Sequence, residues 1–248
     1  MLKRVSLGLR LCVIHVLLIL AFNSLATDFV VEVVDQNGDP ISDAVVVNLA
    51  SIISNNKGTV NKGTVNKGAV EGLVDDVVNS STEGAENSQS AVMDQVNKSF
   101  VPHVLAVEKG RSVSFPNSDN IRHHVYSFSQ AKRFEIKLYA NRPKAPIVFD
   151  TAGVVVLGCN IHDSMIGYIF VSQWSDFVVS DKQGLATLFQ QNEMPGKLLV
   201  WHPWIKSPEQ PLTFAVETLT AGTKEGSYQV MLNITKPKKK ASFKKYRK

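Results

Sequence analysis

Between Ala91 and Gln173 no segment of ten or more residues carries a 3.6-residue apolar period. The stretch is instead a run of short segments rich in Val, Ile, Phe and Tyr, broken by turn residues. "HVLAVEKGRSVSFPN" places two strands on either side of Lys109-Gly110. "HHVYSFS", "KRFEIKLYA", "APIVFDTAG", "GVVVLGCNIH" and "MIGYIFVSQ" follow in the same style. Helices need the longer period, so this pattern selects an all-β block of about 80 residues, a sandwich or a barrel. After Trp174 the strand-like runs resume with "DFVVSDKQGLATLFQ", "PGKLLVWHPWI", "LTFAVETL" and "SYQVMLNIT". With 44% hydrophobic residues in 248, the chain can bury one or two cores.

The remaining segments divide by composition. Residues 1–26 open with Lys3, Arg4 and Arg10, continue as an apolar run and end on Ser24-Leu25-Ala26, the pattern of a signal peptide. The apolar run is shorter than the roughly 20 residues a membrane span needs. Export to the periplasm or beyond is therefore expected. Residues 27–50, "FVVEVVDQNGDPISDAVVVNLA" at their centre, read as strand, turn, strand, with Asn37-Gly38 and Asp39-Pro40 as turn chemistry. Residues 51–90 carry the pentapeptide "NKGTV" in three near-copies and then a Ser/Asn/Glu-rich stretch. That period is too short for a solenoid unit, so the segment is expected to be a linker. Residues 174–235 are the second strand-rich region, and 236–248 form a basic tail.

Charge is carried unevenly. The net charge of +5 falls to +2 once the three leader cations are set aside, and to −6 without the eight of the tail. The basic character belongs to the tail, which could meet an anionic surface. Nothing else in the sequence speaks for nucleic acid.

Cysteine usage sharpens the reading. Cys12 lies in the leader, so one cysteine, Cys159, remains in the exported chain. A lone thiol in an oxidising compartment is a liability, an intermolecular bridge or a metal ligand. It stands in "GCNIHDSM", with His162 and Met165 at successive three-residue steps. A thiol nucleophile with a neighbouring base would leave Met165 unexplained and would oxidise outside the cell. Zinc prefers nitrogen and thiolate sets without a thioether. Thiolate, imidazole and thioether together suit copper, whose trigonal site takes two histidines, one cysteine and a weak axial methionine. The second histidine can come from "NSDNIRHHVYSF", as His123 or His124, the former thirty-six residues before Cys159.

These residues resemble the cupredoxins, the plastocyanin- and amicyanin-like blue copper proteins. The resemblance covers roughly Gln95 to Gln173 and rests on "FDTAGVVVLGCNIHDSMIGYIFV", in which Phe149, Gly153, Cys159, His162, Met165 and Gly167 take family positions. Val155 stands where the family has tyrosine, and "H-H-V" stands for its "H-N-V". The resemblance implies a Greek-key β-sandwich and one type 1 copper held by His123, Cys159, His162 and Met165. His124 replaces the family's bridging asparagine; alternation along a strand allows only one of the two histidines to face inward. The passages "MDQVNKSFVPHV" and "FPNSDNIRHHVYSFS" look like those of plastocyanin-like methylamine utilization proteins. The segments "VVDQNGDPISDAVV" and "SDKQGLATL" followed by "PGKLLV" resemble the two halves of a carboxypeptidase-regulatory-like β-sandwich. The cupredoxin block is then expected to be inserted in, or flanked by, that second sandwich. The implied role is one-electron transfer to a redox partner protein, without catalysis. The alternative is a copper carrier, store or sensor without redox turnover.

Overall fold

The computed structural model describes residues 27–49, 90–141, 145–191 and 194–237. The leader, the pentapeptide repeats and most of the basic tail lie outside the described residues. The strands are β1 (Thr27–Asp35), β2 (Val45–Asn48), β3 (Ala91–Val92), β4 (Asp94–Val96), β5 (Ser99–Val101) and β6 (Val104–Glu108). Then come β7 (Arg111–Ser114), β8 (His123–Ser127), β9 (Phe134–Tyr139), β10 (Ile147–Phe149), β11 (Gly153–Gly158) and β12 (Ile166–Ser172). The chain ends through β13 (Phe177–Val179), β14 (Leu185–Gln191), β15 (Lys197–Trp201), β16 (Leu212–Ala215), β17 (Thr220–Ala221) and β18 (Ser227–Leu232). The architecture is all-β. "LTFAVETL" is strand only as far as Ala215; Val216–Thr218 turn into a short 3-10 helix, where Thr218 Oγ1 donates to Ala215 O at 2.7 Å.

Two sandwiches result. One has β14-β1-β18-β17 as one sheet and β13-β2-β15-β16 as the other. It therefore draws on both ends of the described chain: β1 pairs antiparallel with β14 and parallel with β18, and β2 lies between β13 and β15. The other sandwich faces β10-β7-β3 against the five-stranded β6-β12-β11-β8-β9, with the β4–β5 hairpin at one end. Each has its own apolar interior, Val31, Val47, Leu188 and Leu232 in the first and Phe115, Val125, Phe149 and Leu157 in the second.

The cores meet at a seam. Val104 and Phe170 of the five-stranded sheet belong to the packing of the first sandwich. Trp201, fully buried at the end of β15, sets its ring 5.5 Å from Phe170 and 6.0 Å from Tyr168. Its Nε1 donates to Pro208 O at 2.6 Å, satisfying the one polar atom such a plug carries.

One charge inside "VVEVV" is absorbed rather than excluded. Glu32 of β1 is buried, and its carboxylate accepts hydrogen bonds from Thr223 N, Thr223 Oγ1, Lys224 N and Ser227 Oγ. Burial opposes its ionisation, but those four donors outweigh it and pull the pKa down to about 2.

Candidate metal centre

Cys159 follows the last residue of β11, and His123 opens β8, the strand beside it. The two strands touch at Gly158 and Tyr126. That contact depends on glycine: a Cβ at Gly158 would lie 2.7 Å from the Tyr126 ring. The loop from Cys159 to Met165 closes on itself, with Met165 N donating to His162 O at 2.9 Å. His162 and Met165 are thus presented by one tight turn.

Alternation along β8 separates its two histidines. His123 is fully buried and sets Nδ1 3.8 Å from Cys159 Sγ. His124 turns to the opposite face, where its Nε2 lies 3.0 Å from Glu135 Oε1 but out of line for a hydrogen bond. From the other side, His162 Nδ1 comes within 3.7 Å of the same sulfur. Among the described residues, His123, Cys159 and His162 form a group of His, Cys, Asp or Glu donors close enough to share an ion, all within 4.8 Å of one another. Met165 is buried beside Cys159 in the same apolar cluster, and both line a cavity of about 230 Å³.

A thiol can donate to one imidazole nitrogen and accept only weakly from another. Two Nδ1 atoms converging on one buried sulfur are also the arrangement that donors sharing one cation take. Donors bonded to one ion at about 2.0 Å (nitrogen) and 2.3 Å (sulfur) lie roughly 3.5–3.7 Å apart, close to the separations seen here. The donor set fits a soft to borderline metal, and the buried thioether moves the fit toward copper.

The structure adds a residue that the sequence alone does not single out. Asp119 Oδ2 lies 2.6 Å from His123 Nε2. A carboxylate only accepts, so Nε2 carries the hydrogen and a neutral ring keeps its Nδ1 lone pair toward Cys159. Asp119 is itself anchored, accepting from Asn97 N at 2.6 Å and Lys98 N at 2.9 Å. Burial works against its charge, but the bonds from Lys98, His123 and Asn97 prevail and hold the carboxyl below the usual range. Asn117 shapes the turn: its side chain donates to Ile121 O and Tyr139 O and accepts from Asp119 N. The signal for Asp119 is its place four residues before His123, within "NSDNIRH".

No family model matches the chain, and no curated protein matches it. Solved structures similar to it include cupredoxins. A reduced Cu(I) form of an amicyanin variant is 19% identical over 34% of this chain and 83% of its own, with a TM-score of 0.31. A purple cupredoxin from Nitrosopumilus maritimus is 22% identical over 34% of this chain and 100% of its own, with a TM-score of 0.30. A copper-containing nitrite reductase from Thermus scotoductus SA-01 is 24% identical over 44% of this chain and 25% of its own, with a TM-score of 0.32.

The other described histidines lie apart from this cluster. His103 sits on the seam, edge-on to Tyr168 at 5.4 Å, while Met93 is fully buried in the core. His202 is buried and receives a hydrogen bond from Trp204 N at its Nδ1, 3.2 Å away. Burial first, and the charge of His103 second, push its pKa down to about 4. Lys132 pairs with Asp150 at 3.2 Å. No helix among the described residues is long and apolar enough to cross a membrane.

Proposed function

We propose that the chain is an exported electron carrier in which His123, Cys159 and His162 hold one copper ion, with Met165 as the weak fourth ligand. The observation that carries the reading is the approach of two imidazole Nδ1 atoms, at 3.8 and 3.7 Å, to one buried sulfur. Bound there, copper supplies a one-electron couple between its +1 and +2 states.

The chain's own residues do the rest. Cys159 offers a thiolate, because a metal ligand must be deprotonated and the cation favours that form. Asp119 fixes the His123 ring. The strands on either side keep the donors near their working positions, so little has to move when charge changes. His162 is the half-buried member of the set, and an electron reaches the donors through its edge. The redox partner belongs to the same exported compartment.

Burial also bears on the alternative of a copper carrier or store. A protein that hands over its metal needs ligands that open to an acceptor. Here His123 is fully buried and Cys159 is 4% exposed. That favours a resident metal.

The test is spectroscopic. Cu(II) added to the purified protein is expected to give an intense blue absorption that is lost in Cys159→Ser and His123→Ala and kept in His124→Ala. A colourless Cu(II) protein would sink the electron-transfer reading. Colour kept in His123→Ala and lost in His124→Ala would reverse the choice of ligand.

A further inference from the structure

One large cavity among the described residues does not lie over the donor cluster. It is a cleft of about 1190 Å³ on the seam, with one wall from each sandwich. Tyr168, His103 and Asp163 line it from one sandwich and Trp204, Pro203 and Lys206 from the other. Its size exceeds the roughly 300–1,000 Å³ of small-molecule sites, which leaves room for a ring system with a substituent.

The lining restricts what fits. An aromatic residue on each wall, Tyr168 and Trp204, suits a flat ring, because stacked and edge-to-face contacts add to area burial. One acidic and one basic residue, Asp163 and Lys206, leave no net formal charge to attract an ion. No side-chain hydrogen bond from a described residue reaches the Tyr168 hydroxyl, the Trp204 Nε1 or the His103 ring. Tyr168 is half-buried, and burial alone raises its pKa. A purely hydrocarbon guest would leave these groups dry and unpaired, which is costly. A neutral guest with hydroxyl groups would satisfy both donors and acceptors.

We infer that the seam cleft binds a planar aromatic molecule bearing hydroxyl groups, of the hydroquinone or catechol class, stacked between Tyr168 and Trp204. The site is separate from the donor cluster. Asp163 and Ser164 nevertheless belong both to the cleft wall and to the loop between His162 and Met165.

The test uses the full, metal-free protein, so its outcome stands apart from the copper reading. Naphthohydroquinone is titrated anaerobically by calorimetry, beside its dimethyl ether, which keeps the rings but cannot donate. Saturable binding of the hydroquinone, at least several-fold tighter than the ether, is expected. Tyr168→Phe should weaken it roughly 3- to 10-fold, the worth of one hydrogen bond. Trp204→Ala should weaken it about tenfold or more through lost stacking, whereas Trp174→Phe, outside the cleft, should leave it unchanged. Absence of saturable binding, or equal affinity for the ether on the unaltered chain, would overturn the inference without any variant. So would binding that appears only in a chain cut after Pro237, which would make the terminal segment the occupant.

Discussion

Replacing Asp119 should weaken metal binding while leaving every proposed ligand in the chain. The magnitude follows from the geometry. His123 is fully buried, and its Nε2 is bonded to the carboxylate 2.6 Å away. A hydrogen bond to a charged group is worth about 1.5–3 kcal/mol, which corresponds to roughly 10- to 150-fold in affinity at about 1.4 kcal/mol per factor of ten. Losses from removing such outer partners of metal-bound histidines fall at about 10- to 100-fold. Asp119→Ala should therefore lower copper affinity by one to two orders of magnitude in a competitive titration against a chelator. Asp119→Asn keeps the shape but loses the charge, and its amide faces the N–H groups of Asn97 or Lys98, so it should fall between. Asp94 supplies the control. It accepts from Ser118 Oγ at 2.7 Å on the same turn without touching His123, and Asp94→Ala should change affinity less than threefold. Thermal midpoints of the metal-free variants separate loop loosening from ligand effects. If Asp119→Ala binds copper as tightly as Asp94→Ala does, the carboxylate does not position His123 and the reasoning fails.

Other expectations concern the frame that holds the site. Trp201→Ala should cost about 3–5 kcal/mol in denaturant unfolding, the range for a fully buried tryptophan; a loss under 1 kcal/mol would mean that the seam does not depend on the plug. Gly158→Ala should destabilise by about 1–3 kcal/mol through overpacking against Tyr126, and by less in a Tyr126→Ala background; equal costs in both backgrounds would show that the clash is relieved elsewhere. Stability should also fall as pH drops from about 6.5 to about 4, because folded His202 stays neutral to about pH 4 while the unfolded chain takes up its proton near 6.5. At 1.36 kcal/mol per pH unit the loss reaches at most about 3 kcal/mol. His202→Gln should flatten that slope, and an unchanged slope in the variant would assign the acid loss to other groups.

Much of the frame was legible because strands announce themselves locally. The "NGD" and "EKG" turns need glycine where φ is positive, and Gly38 and Gly110 do sit at +85° and +89°. The loop donors were legible for the same reason, since Cys159, His162 and Met165 are spaced within one turn. The pair His123-His124 stayed ambiguous until a strand direction existed, because alternation says that one faces inward but not which. Asp119 carried no signal beyond its place four residues before His123. Its contact with His123 depends on how the Asn117 side chain folds the segment, and no periodicity carries that. The Tyr126 ring over Gly158 depends on register between two strands, one of which has an irregularity between His123 and Val125. The cleft is further from the sequence still, for it exists only where two separate sandwiches meet.

The pairing of β2 with both β13 and β15 has a consequence for the order in which the molecule can be made. Val46 is among the first core residues to leave the ribosome, yet its neighbours Val178 and Val200 come much later. The sandwich that carries the donor cluster has no such wait. All of its sheet partners lie between Ala91 and Ser172, so its pairing is complete once Ser172 has emerged. Until the strands from Phe177 onward follow, β1 and β2 are apolar strands without their sheet partners, the kind of segment that aggregates if left bare. The half that carries the donor cluster can thus be finished while the half that frames it is still an unpaired beginning and an unwritten end.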